Sequence, residues 1–402
     1  MSRRAFSEIP ALLNDLIDRL EAKPGSTRLF AYIDEEGFGS VVERDRFERQ
    51  LEQVAQMGGI QIQRRRINGD MVIAHVRLAD PTAVYEQLGR QPGKRRAADA
   101  LSSLRTRANL PEGSQALFDE IESAWARGVS RLGLSPGDAD SLGQAMDLLL
   151  ALVDRARDVS ARSIDFRSFS RRAGVDSKGL ERLSGTVTAM LAQLRPDLLP
   201  STALDADDLL ATFGISRTPQ PFLLSAPLRL SGERLPDLAY YGFPPDEAAQ
   251  VELAASVDYV LTIENYVSFV RHVREVNADR SALVIYTGGF PARAHLRHIV
   301  RLTRAAAAST FHWGDMDAGG VRIFRHLEDA LAVQGVSLRP HLMELSVLRE
   351  QGKTSKNQRR LAAGACAGSA IAALWDAVAE HGLSYEQESL APVRPELEGG
   401  NP

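Results

Sequence analysis

The chain has 402 residues, 44% of them hydrophobic, with 48 Lys and Arg against 52 Asp and Glu for a formal net charge of −4. That size and composition suit a globular protein of two or three domains, and the negative balance excludes indiscriminate nucleic-acid binding by bulk charge, because duplex affinity comes largely from neutralising phosphates. No apolar run approaches the ~20 residues of a membrane span, the first residues do not read as a secretory signal, and the lone Cys366 excludes an internal disulfide or a cysteine zinc cluster, so a soluble cytoplasmic protein with a buried thiol and no membrane partner is expected.

Arg44 to Gly58 places Phe47, Leu51 and Val54 on one helical face, and Ile60-Gln61-Ile62-Gln63, Arg64-Arg65-Arg66 and Met71-Val72-Ile73-Ala74 follow around an Asn68-Gly69 turn signal. Helix then hairpin suggests a winged helix in residues 1–92, with Arg64, Arg65 and Arg66 at the wing, where a DNA backbone is gripped. A solvated basic hairpin or a protein-docking surface is the plainer alternative. Pro92-Gly93-Lys94-Arg95-Arg96 reads as an exposed linker into a helical region, 93–204, in which Ser114 to Arg157 is rich in Leu and Ala. Later in that region Phe166 to Leu183 has the outline of a helix-turn-helix, which ordinary helical hairpins share, and makes Arg171, Arg172 and Lys178 candidate DNA contacts. Proline-containing breaks at Pro196 to Pro200 and Pro219 to Pro221 bracket a boundary near 205. A short strand at Phe222 leads the third region, 205–390, and the tail 391–402 is expected to fray.

The third region alternates strands and helices. Asp258 to Ile263 is a strand ending at Glu264, and the helix after it turns Val267, Val270, Val273 and Val276 inward. Ala282 to Tyr286 is a strand ending at Thr287-Gly288-Gly289, with a helix from Ala292 to Ala308. Ser309 to Trp313 is a strand ending at Gly314-Asp315-Met316-Asp317-Ala318-Gly319-Gly320, with a helix from Val321 to Leu331. Parallel sheets gather ligands at the carboxyl ends of their strands, and residues two apart on extended backbone point the same way. Oxygen ligands of this kind suit Mg²⁺ or Mn²⁺ with a substrate phosphate completing the shell. An Asp-x-Asp pair by itself also occurs in turns and helix caps, so the strand-end setting carries the reading. Asn265 caps the following helix or orients Glu264, and Arg322 touches a phosphate or pairs with an acid. His295 and His298 are expected on an exposed helix face, and with His312 and His326 they form no ligand spacing.

The order strand-Glu, helix, strand, helix, strand-Asp-x-Asp, helix resembles the Toprim domain of topoisomerases, primases and some nucleases. More narrowly, Ile263-Glu264-Asn265, Gly288-Gly289-Phe290-Pro291, Gly314-Asp315-Met316-Asp317 and Glu386-Gln387-Glu388 resemble the JetD family, nucleases of Wadjet plasmid-defence systems related to the DNA-cleaving subunit of type VI topoisomerases. The resemblance is best from Leu235 to Leu390 and fainter over Phe166 to Leu183. It implies an α/β Toprim domain, a parallel sheet flanked by helices, on the carboxyl side of a mostly helical region with winged-helix-like parts. It also implies a Mg²⁺- or Mn²⁺-dependent endonuclease that hydrolyses closed circular plasmid DNA. Asp315 and Asp317 then hold the metal, Glu264 completes the shell or acts as general base, and Glu386 and Glu388 serve a second metal or positioning. The implied partners are double-stranded DNA, an SMC-type ATPase complex with kleisin-like subunits and a second copy of the chain; no Walker loop is present, so ATP hydrolysis falls to other chains. A topoisomerase-like transesterase needs an upstream tyrosine, and Tyr32 and Tyr85, the only tyrosines before residue 240, lie outside Phe166 to Leu183. A non-catalytic DNA-binding or complex-assembly module is the third reading.

Overall fold

The computed structural model describes residues 4–397 apart from 68–69, 159, 201–204 and 355–360; the Asn68-Gly69 turn lies outside the described residues. The chain forms two compact units, residues 1–146 and 147–402.

The first unit contains β1 (Ala5–Phe6), α1 (Ile9–Ala22), β2 (Phe30–Ile33), α2 (Val41–Gln56), β3 (Ile60–Ile67), β4 (Asp70–Leu78), α3 (Pro81–Leu88), α4 (Gly93–Arg105) and α5 (Ser114–Ala126), and α6 (Ala139–Arg157) runs across the boundary. Its four strands pair in the order β1-β2-β4-β3. The helical period of α2 buries Phe47, Leu51 and Val54 as expected, against Leu12, Leu13, Leu16 and Ile17 of the same core.

Pro92 to Arg96 leads into a helix and is not a linker, and although Pro92, Lys94, Arg95 and Arg96 are exposed, Gly93 is not. Gly93 opens α4, buried, and its N–H donates to the Glu21 carboxylate at 2.7 Å. Glu21 also accepts from Tyr85 Oη at 2.9 Å, Arg90 Nη2 at 2.5 Å and Arg96 Nη2 at 3.2 Å. A Cβ on residue 93 would lie 2.5 Å from the Ala126 carbonyl oxygen, so this glycine is set by packing, where its sequence context suggested a loop. Glu21→Ala, which strips a buried carboxylate from two arginines, is expected to destabilise the protein by about 3 kcal/mol, read as a lowered urea midpoint; an unchanged midpoint refutes the role given to Glu21.

The second unit continues with β5 (Ile164–Asp165), α7 (Phe166–Arg172), α8 (Gly179–Leu194), α9 (Ala206–Thr212), β6 (Ile215–Ser216), β7 (Phe222–Ser225), β8 (Leu228–Leu230), β9 (Glu233–Arg234), β10 (Tyr241–Phe243) and β11 (Val251–Leu253). Then come β12 (Tyr259–Ile263), α10 (Tyr266–Glu275), β13 (Leu283–Tyr286), α11 (Arg293–Ala306), β14 (Ser309–Trp313), α12 (Gly320–Ala332), β15 (Leu338–Pro340), α13 (Leu345–Gln351), β16 (Lys353–Thr354), α14 (Ala372–His381) and β17 (Leu383–Ser384). Six strands form one sheet, β10-β7-β13-β12-β14-β15, parallel from β13 to β15, with β7 and β10 antiparallel at one edge. All five residues of β12 are buried, as a strand covered on both faces requires, and this explains its unbroken apolar run.

Two expectations for the flanking helices are corrected. His295 and His298 are buried on α11, both against the Phe222 ring, and the imidazole of His298 meets the Pro245 carbonyl at 2.7 Å. On α10, Val267 is 51% exposed while Phe269, His272 and Val273 are buried; a spacing of three falls behind the 3.6-residue turn, so four valines three apart cannot share one face. Part of the tail is pinned where fraying was expected: His341 Nε2 meets the Val393 carbonyl at 3.0 Å and Arg394 pairs with Asp258. No helix of the described residues is long and apolar enough to cross a membrane, and Cys366 is buried.

Candidate metal centre at the strand ends

β12 and β14 are adjacent and parallel with Ile263 opposite Trp313, so the residue after each emerges at the same sheet edge. The Glu264 N–H donates to the Trp313 carbonyl at 3.0 Å, extending the ladder one step. Glu264 Oε2 in return accepts the Asp315 N–H at 3.2 Å. Gly314 makes this approach possible: a Cβ there would lie 2.7 Å from Glu264 Oε2 and 2.8 Å from His312 Nε2. Asp317 Oδ1 accepts the N–H groups of Gly319 and Gly320, both at 2.8 Å, and so satisfies donors at the start of α12.

Gly320 is required on steric grounds, because a Cβ would stand 2.0 Å from the Asp315 carbonyl oxygen. Gly320→Ala is expected to force the Asp315–Asp317 loop off α12 and lower stability by about 2 kcal/mol. A melting temperature equal to wild type would remove that constraint.

The expected pair Glu386 and Glu388 also arrives here, both exposed, and the residue between them does the docking. Gln387 is buried; its N–H donates to Asp315 Oδ1 at 2.6 Å, its Nε2 donates to the Trp313 carbonyl at 2.8 Å, and its Oε1 accepts the Asn265 N–H at 2.8 Å. Met316 and Tyr385 form an antiparallel bridge beside it. Asn265 caps α10 through Oδ1, accepting from Val267 and Ser268, while its Nδ2 donates to Glu388 Oε1 at 2.6 Å. Sequence reasoning passed over Gln387. Its one signal was its position between two acids, since the contacts it makes are 72 to 122 residues away.

Burial, then repulsion from Asp315, pushes the Glu264 carboxyl up to about 8. Burial likewise raises Asp315 to about 6, with Glu386, Asp317 and Glu388 adding to the shift and the Gln387 N–H opposing it. His312, wholly buried behind them, is driven by desolvation down to about 3 and is neutral; its Nδ1 meets Thr262 Oγ1 at 2.9 Å, and its Nε2 has no partner among the described residues. Tyr286, at the end of β13, was also missed. Its phenol is raised by burial and next by Glu264, and its ring covers Gly288, whose φ of +68° and absent Cβ admit it.

Among the described residues no group of three or more His, Cys, Asp and Glu side chains is already gathered for a metal ion. The carboxylates are linked through backbone groups and mutual repulsion. Of the candidate DNA contacts, Arg64 pairs with Glu52 at 2.6 Å, and Arg65 and Arg66 are exposed on β3 in the first unit. Arg171, Arg172 and Lys178 are exposed at and after the end of α7, whereas Arg322 is only 7% exposed on α12.

The second unit thus carries a mixed α/β sheet, parallel from β13 to β15, with acidic residues following the ends of β12 and β14. Residues 224–394 match the family described as "Wadjet protein JetD, C-terminal", so this segment of the chain is similar to that family. Wadjet protein JetD of Bacillus cereus (strain Q1) is 24% identical over 152 residues, 36% of this chain and 36% of that protein. The match thus spans about a third of the curated relative's length.

Proposed function

We propose that the protein is a divalent-metal-dependent DNA endonuclease with a Toprim-type catalytic domain, and that it acts as the plasmid-cleaving effector of a Wadjet defence complex. The observation that carries this reading is that Glu264 and the Asp315–Asp317 loop follow the carboxyl ends of two adjacent parallel strands, with both aspartates near enough to raise the Glu264 carboxyl by repulsion. In each, one oxygen is held by backbone N–H groups, and the other takes no hydrogen bond among the described residues. The all-oxygen donor set, with space at Gly314 that a Cβ would fill, fits Mg²⁺ or Mn²⁺. Such a cation would supply Lewis-acid activation for phosphodiester hydrolysis.

Asp315 and Asp317 are the residues to hold it. Glu264, whose carboxyl already sits near 8, is suited to complete the shell or to accept a proton near neutral pH. Gln387 holds Glu386 and Glu388 over the same edge, where they serve a second cation or orient Asn265. An SMC-type ATPase complex, a second copy of the chain and duplex DNA complete the reading, on the similarity of residues 224–394 to the JetD family.

The transesterase alternative loses support at Tyr85, whose phenol is pushed up to about 12 by burial and by the Glu21 carboxylate that accepts its hydrogen bond. Closed circular plasmid incubated with the protein in Mn²⁺, and run on gels with and without protease digestion, tests the choice. Free ends in both lanes support hydrolysis; protein retained on the ends supports a tyrosine nucleophile and sinks the hydrolase.

A further inference from the structure

His312 is the buried group beside the candidate centre that the nuclease reading leaves unused. It stands opposite Thr262 in the β12–β14 pairing, and the alternation of side chains along the two strands puts both on the face that Glu264 and Gly314 reach two residues on. The imidazole is fully buried and packs against the Phe324 ring of α12, with ring centres 5.8 Å apart.

Its two nitrogens differ in what they meet. Nδ1 is 2.9 Å from Thr262 Oγ1, and that hydroxyl is also 3.1 Å from the Phe311 carbonyl. Nε2 has no hydrogen-bond partner among the described residues. A buried nitrogen left in this way is uncommon and calls for a reason. The surroundings of Nε2 supply one. The point that a Cβ on Gly314 would occupy lies 2.8 Å from His312 Nε2 and 2.7 Å from Glu264 Oε2, and the next atom there outside residues 313–315 is His312 Cδ2 at 3.6 Å. Imidazole and carboxylate thus border one point, which stays open to both because residue 314 has no side chain.

The Thr262 hydroxyl carries a single hydrogen, and where it goes decides the tautomer of a neutral ring. Donated to the Phe311 carbonyl, it leaves Nδ1 as the donor and Nε2 bare. Donated to Nδ1, it leaves the ring hydrogen on Nε2, the nitrogen that borders Glu264. An ionised carboxylate only accepts hydrogen bonds, so the second arrangement is the one that matches a Glu264 bound to a cation.

We propose that His312 is a positioning residue for Glu264: with its tautomer set by Thr262, the imidazole donates Nε2–H to Glu264 Oε2 when the carboxylate holds a cation. Oε2 then has two donors, this one and the Asp315 N–H, and Oε1 is the oxygen left to the metal. The inference rests on the metal-centre reading of Glu264, which itself asks nothing of His312. Hydrogen bonds to ligating carboxylates fix their orientation, and losing one costs about 10- to 100-fold in metal affinity or activity.

The test is Mn²⁺ titration followed by electron paramagnetic resonance, on the full metal-free chain, for wild type and two pairs of variants. His312→Leu removes the donor, and Thr262→Val removes the hydroxyl while keeping the branched shape; each is expected to weaken Mn²⁺ binding by about 10- to 100-fold. His312→Gln, whose amide nitrogen extends to the place of Nε2, and Thr262→Ser, which keeps the hydroxyl, are expected to recover most of that loss. A core-filling role gives a different pattern, in which the variants differ in melting temperature and bind Mn²⁺ as wild type does. That pattern overturns the positioning role and spares the metal centre. Wild-type protein that takes up no Mn²⁺ refutes the metal centre, and the role of His312 falls with it. If His312→Leu does not fold, the Thr262 pair decides alone.

Discussion

Asp317→Asn is expected to lower metal-dependent plasmid cleavage by at least three orders of magnitude, about 4 kcal/mol of lost barrier reduction, while leaving the melting temperature within a degree or two. Two jobs of one carboxylate make the choice of variant matter. Asp317 Oδ1 serves the N–H groups of Gly319 and Gly320 at the start of α12, a task an amide oxygen performs equally well. The charge that would neutralise a dication is what Asn removes. Asp317→Ala removes both and should cost about 1 kcal/mol of stability besides. Cleavage by Asp317→Asn within tenfold of wild type would show that the Asp-x-Asp loop is architecture only.

The second large effect is on pH dependence. A carboxyl whose folded pKa is raised holds its proton more tightly in the fold, so its contribution to stability is whole below the unfolded value and is lost as pH rises through the folded one. For Glu264 that window runs from 4.5 to about 8, and for Asp315 from 3.8 to about 6. Both act in the same direction. The metal-free protein should therefore melt at progressively lower temperature between pH 5 and pH 8.5. A bound dication reverses the cause, since it replaces the protons that burial and repulsion retain. Scanning fluorimetry should show a larger stabilisation by Mn²⁺ at pH 8 than at pH 6, and a gain equal at both values would sink the assignment of these carboxyls to a metal.

Much of the sheet was legible before any coordinates, and the reasons are local. Ser309 to Trp313 is a strand at its expected bounds, and Tyr259 to Ile263 and Leu283 to Tyr286 are each one residue shorter than expected. Buried parallel strands announce themselves as short β-branched and aromatic runs, and the glycines after them mark their ends. The acids at Glu264, Asp315 and Asp317 were legible for the same reason, by their place at those ends. The face of α10 was misread because four valines at intervals of three drowned the signal of Phe269 and His272. Gly93 and His295 were misread because a glycine beside lysine and arginine, or a histidine on an arginine-rich helix, looks solvent-facing until its partner is known. Gln387 depends on contacts across 72 to 122 positions, where no local pattern exists to be read.

The most direct measurement is Mn²⁺ titration followed by electron paramagnetic resonance at pH 8, on metal-free wild type beside Asp315→Asn. The expected result is loss of the free-ion signal in proportion to wild-type protein and a signal close to buffer with the variant. Equal uptake by both proteins would contradict a metal centre at the ends of β12 and β14.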